Sequence, residues 1–257
     1  MLGAIIGDIV GSTYERKPIK TKKFEFFTDK CIFTDDSVCT IAVADILLHD
    51  LPAAETMQKW CCKHPGRGYG GMFGRWINDN LPKPYNSYGN GAAMRVSPAA
   101  FLNRDDLDAA LADSDKVTEI THNHPEGMKG ARATTHAIWL AYQNEKPENI
   151  REIISTEYSY DLTKTVDEIR PNYSFDVTCQ GTVPQAITCA LESESFEDAI
   201  RNAISLGGDS DTLGAITGPI AEAIYGISSE YIDRIMTNYL SEASDILGII
   251  NKMYNNS

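Results

Sequence analysis

Residues 3–15 read GAIIGDIVGSTYE, a stretch that combines apolar residues at helical spacing with regularly placed glycines. Gly3, Gly7 and Gly11 recur every four residues, a spacing that lowers helix stability but lets another backbone approach closely. The apolar residues between the glycines have helical spacing. We therefore predict a helix over 3–15, whose glycine face serves either tight helix packing or a functional site.

Helical periodicity continues through most of the chain, and runs of alternating β-branched residues are almost absent. The fold class predicted is all-α, as a single compact domain of orthogonally packed helices over 1–257. Two long irregular stretches, 16–33 and 61–91, are candidates for site loops. Further helices are predicted over 37–49 (with Asp36 as N-cap), 50–60, 72–78, 92–101, 107–119, 128–143, 150–158, 182–192, 196–205, 213–225 and 229–240.

The charge balance limits the possible partners. The chain has 36 acidic and 23 basic side chains, a formal net charge of −13. Phosphates would be repelled, so stable nucleic-acid binding and docking on anionic membranes are not expected. No apolar run approaches the ~18 residues of a membrane helix. The six cysteines form no CxxC pair, which favours reduced thiols and a cytoplasmic protein. We also expect a monomer.

Three segments concentrate carboxylates beside glycine and hydroxyl residues: 7–15, 33–37 and 207–214. Each has a plain structural interpretation on its own: helix packing, a double helix cap and an Asx-turn with an N-cap. Together they supply six carboxylates that would repel one another in a shared cleft and would need protons or cations. Hard oxygen ligands select Mg²⁺, Mn²⁺ or Ca²⁺ rather than Zn²⁺, and two divalent ions would offset most of the −6 charge. The six are Asp8, Glu15, Asp35, Asp36, Asp209 and Asp211.

Six motifs in order resemble the ADP-ribosylglycohydrolase family, which includes dinitrogenase reductase-activating glycohydrolase and the ADP-ribosylserine hydrolases. They are GDIVGSTYE (7–15), FTDDS (33–37), RGYGG (67–71), SYGNGAAMR (87–95), THNHP (121–125) and GGDSDTLGAITG (207–218). The resemblance implies one all-α domain with a cleft that holds two divalent cations, Mg²⁺ or Mn²⁺. It also implies hydrolysis of the bond between ADP-ribose and a modified group.

The resemblance further implies roles for individual residues. Glu15 stands where the serine-type hydrolases carry a mobile acidic residue, and with Asp36 it is assigned to catalysis. Implied metal ligands are Thr34, Asp35 and Asp36 for one half of the site, with Asp209, Asp211 and Thr212 for the other. Implied substrate-binding residues are Gly68, Gly70 and Gly71 (diphosphate), Ser87, Tyr88, Gly89 and Asn90 (phosphate and adenine), and His122 (substrate pocket).

The function expected is metal-dependent removal of ADP-ribose from a protein or small-molecule conjugate by cleavage at the distal ribose. Two alternatives stay open: an ADP-ribose-binding or structural protein of the same fold, and a metal-dependent phosphoester hydrolase. Basic residues near the cleft would repel a guanidinium leaving group, so O-linked ADP-ribose is expected to react faster than arginine-linked ADP-ribose. Those residues are Arg16, Lys17, Lys20, Lys22 and Lys23.

Overall fold

The computed structural model describes residues 1–255, and helices occur along the whole of this range, joined by turns and loops. Within this range no strand forms, and one isolated antiparallel bridge joins Gly89 to Thr178. The predicted all-α class is confirmed. In chain order the helices are α1 (Leu2–Gly11), α2 (Asp35–His49), α3 (Ala53–Lys63), α4 (Gly71–Ile77), α5 (Ser97–Leu102), α6 (Leu107–Thr118), α7 (Pro125–Tyr142), α8 (Pro147–Tyr158), α9 (Val166–Ile169), α10 (Cys179–Leu191), α11 (Phe196–Ser205), α12 (Ser210–Tyr225), α13 (Ser229–Arg234) and α14 (Ser244–Asn255), with a 3₁₀ turn at Asn90–Ala92 and a π turn at Ile235–Tyr239.

The glycine face of α1 packs directly on α12. A Cβ atom on Gly7 would overlap the backbone of Gly214, and one on Gly3 would overlap the backbone of Gly218. All ten residues of α1 are buried. The two helices run antiparallel, so the close contact of their backbones depends on the absence of side chains at these positions.

This antiparallel contact brings the end of α1 to the start of α12. A Cβ on Gly11 would overlap Ser210 and Asp211 at the first turn of α12. The backbone amide of Thr34, just before α2, donates to the Asp8 carboxylate on α1 at 2.9 Å. Three chain segments that are far apart in sequence therefore meet at one place, through the small residues predicted to permit it.

Some predicted helix bounds are wrong. Helix α1 ends at Gly11 instead of continuing to Glu15, because the Ser12 hydroxyl donates to the Ile9 carbonyl at 2.8 Å and accepts from the Ile32 amide at 3.0 Å. The N-cap of α2 is Thr34, not Asp36. Its hydroxyl accepts from the Asp36 amide at 3.3 Å.

Other differences lie in short or late elements. The predicted helix over 92–101 is a 3₁₀ turn followed by α5, and the predicted helix over 229–240 is α13 followed by a π turn. Helices α9 and α14 were not predicted. The single domain predicted over 1–257 includes two residues, 256 and 257, that lie outside the described range.

Two further predictions concern the environment of the protein. Among residues 1–255, no helix has both the length and the apolar character needed to cross a bilayer. All six cysteines are free thiols, five buried and Cys62 exposed.

Candidate active site

Six carboxylates from three segments converge where α1, α2 and α12 meet. Carboxylate oxygens of Asp8, Asp36 and Asp211 lie within 4.8 Å of one another, and so do those of Glu15, Asp209 and Asp211. Asp35 is close enough to Asp8, Asp209 and Glu15 for their charges to raise its pKa. Within residues 1–255, none of the six forms an ion pair with a basic side chain.

Asp8 ties two of the segments together. Its carboxylate accepts from the Thr34 amide at 2.9 Å, the Thr34 hydroxyl at 2.6 Å and the Ser37 amide at 3.1 Å. The Ser37 hydroxyl makes a further short hydrogen bond to it. Asp8 is fully buried, and these donors hold the first turn of α2 against α1. Ser37 thus has a structural role in placing the carboxylates of α2.

Asp36 and Asp209 present their carboxylates differently. Asp36 is 2% exposed, and its Oδ1 atom has no hydrogen-bond partner among the described residues. Asp209, just before α12, accepts from the Asn90 side-chain amide at 2.7 Å. A buried carboxylate oxygen without a donor is costly unless a cation or proton occupies the space next to it.

The pKa values of these acids respond to their crowding. Burial, and then repulsion from Asp8, raises the pKa of Asp35 to about 7. Burial raises the pKa of Asp8 to about 6 against the effect of its hydrogen-bond donors. The pKa values of Asp36 and Asp211 lie well above the ordinary aspartate value, because burial and the neighbouring carboxylates act in the same direction.

This cluster fits divalent cations. Its donor set consists of carboxylate oxygens with threonine hydroxyls beside them, a set that suits Mg²⁺ or Mn²⁺. Thr212 is 5% exposed at the start of α12. The Thr34 hydroxyl already donates to Asp8, so it can offer only its oxygen lone pair to a cation. The buried Oδ1 of Asp36, to which no described residue donates a hydrogen bond, is one oxygen that such a cation could bind.

A cavity of about 750 Å³ adjoins the carboxylate cluster. Its volume lies in the range of small-molecule sites. Five of the predicted metal ligands line it, and the sixth, Thr34, is buried and does not. All eight predicted substrate-binding residues line it as well: Gly68, Gly70, Gly71, Ser87, Tyr88, Gly89, Asn90 and His122.

The glycine loop over 67–71 lies against Asp35. The Asp35 amide donates to the Arg67 carbonyl at 2.9 Å. Gly68 has a φ of +103°, and a Cβ there would come within 3.1 Å of Asp35 Oδ1. Gly70 and Gly71 have open space where a side chain would stand, so their backbone is accessible from the cavity.

Tyr88 and His122 also line the cavity. Tyr88 is 48% exposed, with its ring centre 5.2 Å from that of His124 in an edge-on arrangement. His124 caps α7 by accepting from the Glu126 amide. His122 is buried, and burial followed by the charge of Arg95 holds its pKa well below the ordinary histidine value.

Sequence reasoning missed several residues of this cavity. Arg75, Arg95, Phe175 and Val177 line it, and the last two are more than half exposed. Exposed apolar side chains in a short loop were the available signal for Phe175 and Val177. The sequence predicts Asp8 as one of the six clustered carboxylates but assigns it no individual function. Its function depends on contacts with Thr34 and Ser37 that only the structure shows.

Of the five basic residues expected beside the cleft, Arg16 is close enough to the cavity-lining Glu15 for its charge to oppose the rise in the pKa of that carboxyl. No basic residue of 16–23 lines the cavity. Lys20 donates to the carbonyl of Arg170 at 2.8 Å and to two further carbonyls, and Lys22 pairs with Asp198. These lysines fasten the 16–33 segment to the helical body, so they are not available to a leaving group.

The fold and site define a class of protein: an all-α domain in which clustered carboxylates, most of them buried, border a cavity of ligand size. The chain belongs to the ADP-ribosylglycohydrolase family, which matches it over residues 1–257. Membership places it among the enzymes that hydrolyse ADP-ribose conjugates.

Known relatives agree with this membership. An ADP-ribosylarginine hydrolase, Tri1, of Pseudomonas putida (strain GB-1) is 23% identical, with 91% of this chain and 72% of that protein covered. The ADP-ribosylhydrolase ARH3 of Homo sapiens is 25% identical, with 88% and 84% covered. A solved structure described as an ADP-ribosylglycohydrolase-related protein complex is 21% identical with a TM-score of 0.74, covering 99% of this chain and 95% of that one. This last likeness shows the shared fold.

Proposed function

We propose that this protein is a metal-dependent hydrolase that removes ADP-ribose from a modified acceptor by cleaving the glycosidic bond at the distal ribose. One observation carries the proposal: five of the six clustered carboxylates, all but the buried Asp8, line the cavity of about 750 Å³. Cation site and substrate site therefore share a boundary. A ligand in the cavity would present one end to the carboxylates and the other to Tyr88.

Two divalent cations, Mg²⁺ or Mn²⁺, are the proposed cofactors. The residues that would hold them are Thr34, Asp35, Asp36, Asp209, Asp211 and Thr212. When bound, the cations supply charge neutralisation and Lewis-acid polarisation of ligand oxygens. The support for this assignment is the absence of basic partners for six close carboxylates, together with the unpartnered Oδ1 of Asp36.

Glu15 is the proposed group for proton transfer. It is half-buried at the edge of the cavity, and burial followed by repulsion from Asp209 raises its pKa. A carboxyl group with a raised pKa can accept a proton from water or give one to a leaving group. Asp36, on the same wall, is the second proposed catalytic residue. Because the transition state resembles an oxocarbenium ion, fixed carboxylates near the anomeric carbon would stabilise the developing positive charge.

The remaining cavity residues would hold ADP-ribose in place. Tyr88 offers an exposed ring face for the adenine. The accessible backbone of Gly70 and Gly71 suits the diphosphate, since no side chain obstructs approach to its amides. Gly68, proposed for the same role, lies against the Asp35 carboxylate. Ser87, Gly89, Asn90 and His122 complete the proposed set.

A panel of substrates tests the proposal and separates it from its rivals. Serine-, arginine- and nucleic-acid-linked ADP-ribose are incubated with and without Mg²⁺, and products are separated by chromatography. Free ADP-ribose supports glycosidic cleavage, whereas AMP or phosphate would identify a phosphoester hydrolase. Binding of ADP-ribose without release of any product would identify a binding protein.

The acceptor proposed is an O-linked group on a protein or small molecule. Support comes from the motifs over 7–15 and 87–95, which resemble those of the serine-type hydrolases. Lys20 and Lys22 do not contribute to the cation argument, because they are engaged elsewhere. Faster release from the arginine conjugate than from the serine conjugate would overturn this acceptor while leaving glycosidic cleavage intact.

We also propose a cytoplasmic monomer that does not bind nucleic acid stably. The six free thiols and the net charge of −13 support this setting. Light scattering gives the molar mass, and a gel-shift titration with duplex DNA tests the charge argument. A stable dimer or micromolar DNA binding would contradict it.

A further inference from the structure

His122, Thr121 and Arg95 form a buried chain of hydrogen bonds behind the cavity. The Arg95 Nη2 atom lies 2.7 Å from Thr121 Oγ1, which lies 2.7 Å from His122 Nδ1. Thr121 is fully buried, Arg95 is 1% exposed and His122 is 5% exposed. Water is therefore largely excluded from both hydrogen bonds. The protein atoms alone decide which atom donates in each bond.

The donors in this chain can be assigned from its chemistry. A guanidinium can only donate, so Thr121 Oγ1 accepts from Arg95. The proton of the threonine hydroxyl then needs an acceptor. Within residues 1–255, the hydrogen-bond partner that can accept it is His122 Nδ1. If Nδ1 carried the ring proton instead, the buried hydroxyl proton would have no acceptor. The satisfied arrangement has Nδ1 as acceptor and the ring proton on Nε2.

The Nε2 atom faces the loop that lines the cavity. A Cβ on Gly91 would lie 3.2 Å from it and one on Gly89 would lie 3.5 Å from it. Nε2 makes no hydrogen bond within the described part of the chain. The missing side chains at 89 and 91 leave room beside a ring nitrogen that carries a proton.

We infer that His122 acts as a neutral Nε2–H donor to an oxygen of the bound ligand, and that Thr121 and Arg95 are positioning residues that fix its tautomer. The oxygen is a phosphate or ribose oxygen, a ligand identity that rests on the proposed function. The tautomer itself does not rest on it. Burial and the nearby Arg95 charge also lower the pKa of His122, which is consistent with a neutral ring.

Thr121 has a second role that makes it a suitable test position. Its carbonyl accepts from the amides of Tyr85 at 3.4 Å and Ser87 at 3.5 Å, and a side-chain change leaves these backbone bonds in place. Arg95 Nη2 keeps its second acceptor, the Val117 carbonyl at 3.1 Å. Thr121→Val therefore removes the hydroxyl link with little other change.

Nitrogen NMR reads the tautomer directly. The protein is labelled with ¹⁵N-histidine, and His122 is assigned among the five histidines by its loss in His122→Gln. At neutral pH without ligand, we expect the Nδ1 resonance of His122 at the position of an unprotonated ring nitrogen and Nε2 at that of a protonated one. The reverse pattern in the wild-type protein would overturn the inference, and no variant is needed for that result.

Three threonine variants test the positioning role. Thr121→Val is expected to shift His122 towards the other tautomer, and Thr121→Ser is expected to restore the wild-type pattern. Thr118→Val is the matched control, because Thr118 is equally buried and its hydroxyl has no partner. An unchanged His122 spectrum in Thr121→Val would show that the hydroxyl does not fix the tautomer.

Calorimetry with ADP-ribose and Mg²⁺ tests the donor role. Thr121→Val is expected to weaken binding about tenfold, whereas Thr121→Ser and Thr118→Val stay within about threefold of wild type. A shifted tautomer with unchanged affinity would refute donation to the ligand. A wild-type protein that does not bind ADP-ribose would refute the proposed function, and the NMR result would still decide the tautomer.

Discussion

Replacing Asp35 by asparagine should stabilise the metal-free protein and weaken its response to metal. The Asp35 side chain accepts no hydrogen bond from another residue in the described chain, so the isosteric change loses little besides charge. Its pKa rises from 3.8 to about 7 on folding, because of burial and repulsion from Asp8. The charged carboxylate therefore destabilises the fold, starting above the unfolded pKa of 3.8 and reaching its full effect above about pH 7.

The size of this effect follows from the pKa change. A rise from 3.8 to about 7 corresponds to about 4 kcal/mol at high pH. Part of that free energy is shared with the neighbouring carboxylates, so we expect about 2 kcal/mol from removing one charge. For a domain of this length, about 2 kcal/mol raises the melting temperature by roughly 4–8 °C.

Calorimetric melting in EDTA at about pH 8 gives the measurement. Asp35→Asn should melt at a higher temperature than wild type at this pH. At about pH 5 the difference in melting temperature should be less than half as large, because Asp35 of the folded wild type is then protonated. With Mg²⁺ at about 100 times its Kd, wild type gains about 2.7 kcal/mol and the variant gains less, so the difference between them shrinks; it reverses if the variant gains less than about 0.7 kcal/mol. Asp233→Asn, at an exposed position on α13, is the control. A variant that melts below wild type in EDTA, or that gains equally from Mg²⁺, would refute the reasoning.

Three other changes test separate parts of the account. Glu15→Gln should lower kcat by about 10²-fold or more, with ADP-ribose affinity by calorimetry nearly unchanged, and an equal loss in both would make Glu15 a binding residue. Tyr88→Ala should weaken ADP-ribose binding by about 1–3 kcal/mol, and unchanged affinity would remove it from the adenine site. Gly7→Ala should cost about 3 kcal/mol in urea unfolding because its Cβ meets Gly214, whereas Gly248→Ala, in open space on α14, should gain about 0.5–1 kcal/mol; similar effects of the two alanines would contradict the packing argument.

The central packing of the fold could be predicted from the sequence, because it depends on a local signal. Glycines at every fourth position leave a strip of backbone exposed, and a second glycine-containing helix, α12, fits against it. The end of α1 could not be predicted in the same way. Residues 12–15 contain no proline or glycine to end a helix, but Ser12 bonds to Ile32, a contact between distant segments that periodicity does not record.

For the candidate site as well, local sequence patterns predicted some residues, whereas others depend on contacts between distant segments. Residue type and motif order were enough to select the carboxylates and the glycine loop that line the cavity. The role of Asp8 depends on hydrogen bonds to Thr34 and Ser37, and the role of Thr121 depends on Arg95, so neither follows from a local pattern. Lys20 was assigned a role near the leaving group because it is close to the site in sequence. In the structure its ammonium group donates to backbone carbonyls instead.

The central claim is that paired divalent cations, held by the carboxylate cluster, are required for release of ADP-ribose. The most direct test strips the protein with chelator and titrates Mn²⁺ back, measuring bound metal per chain and ADP-ribose released from a serine-linked peptide in the same samples. The account predicts no release from stripped protein, two bound ions per chain at saturation, and release that rises as the second ion binds. Full release from protein shown to contain no metal would contradict it.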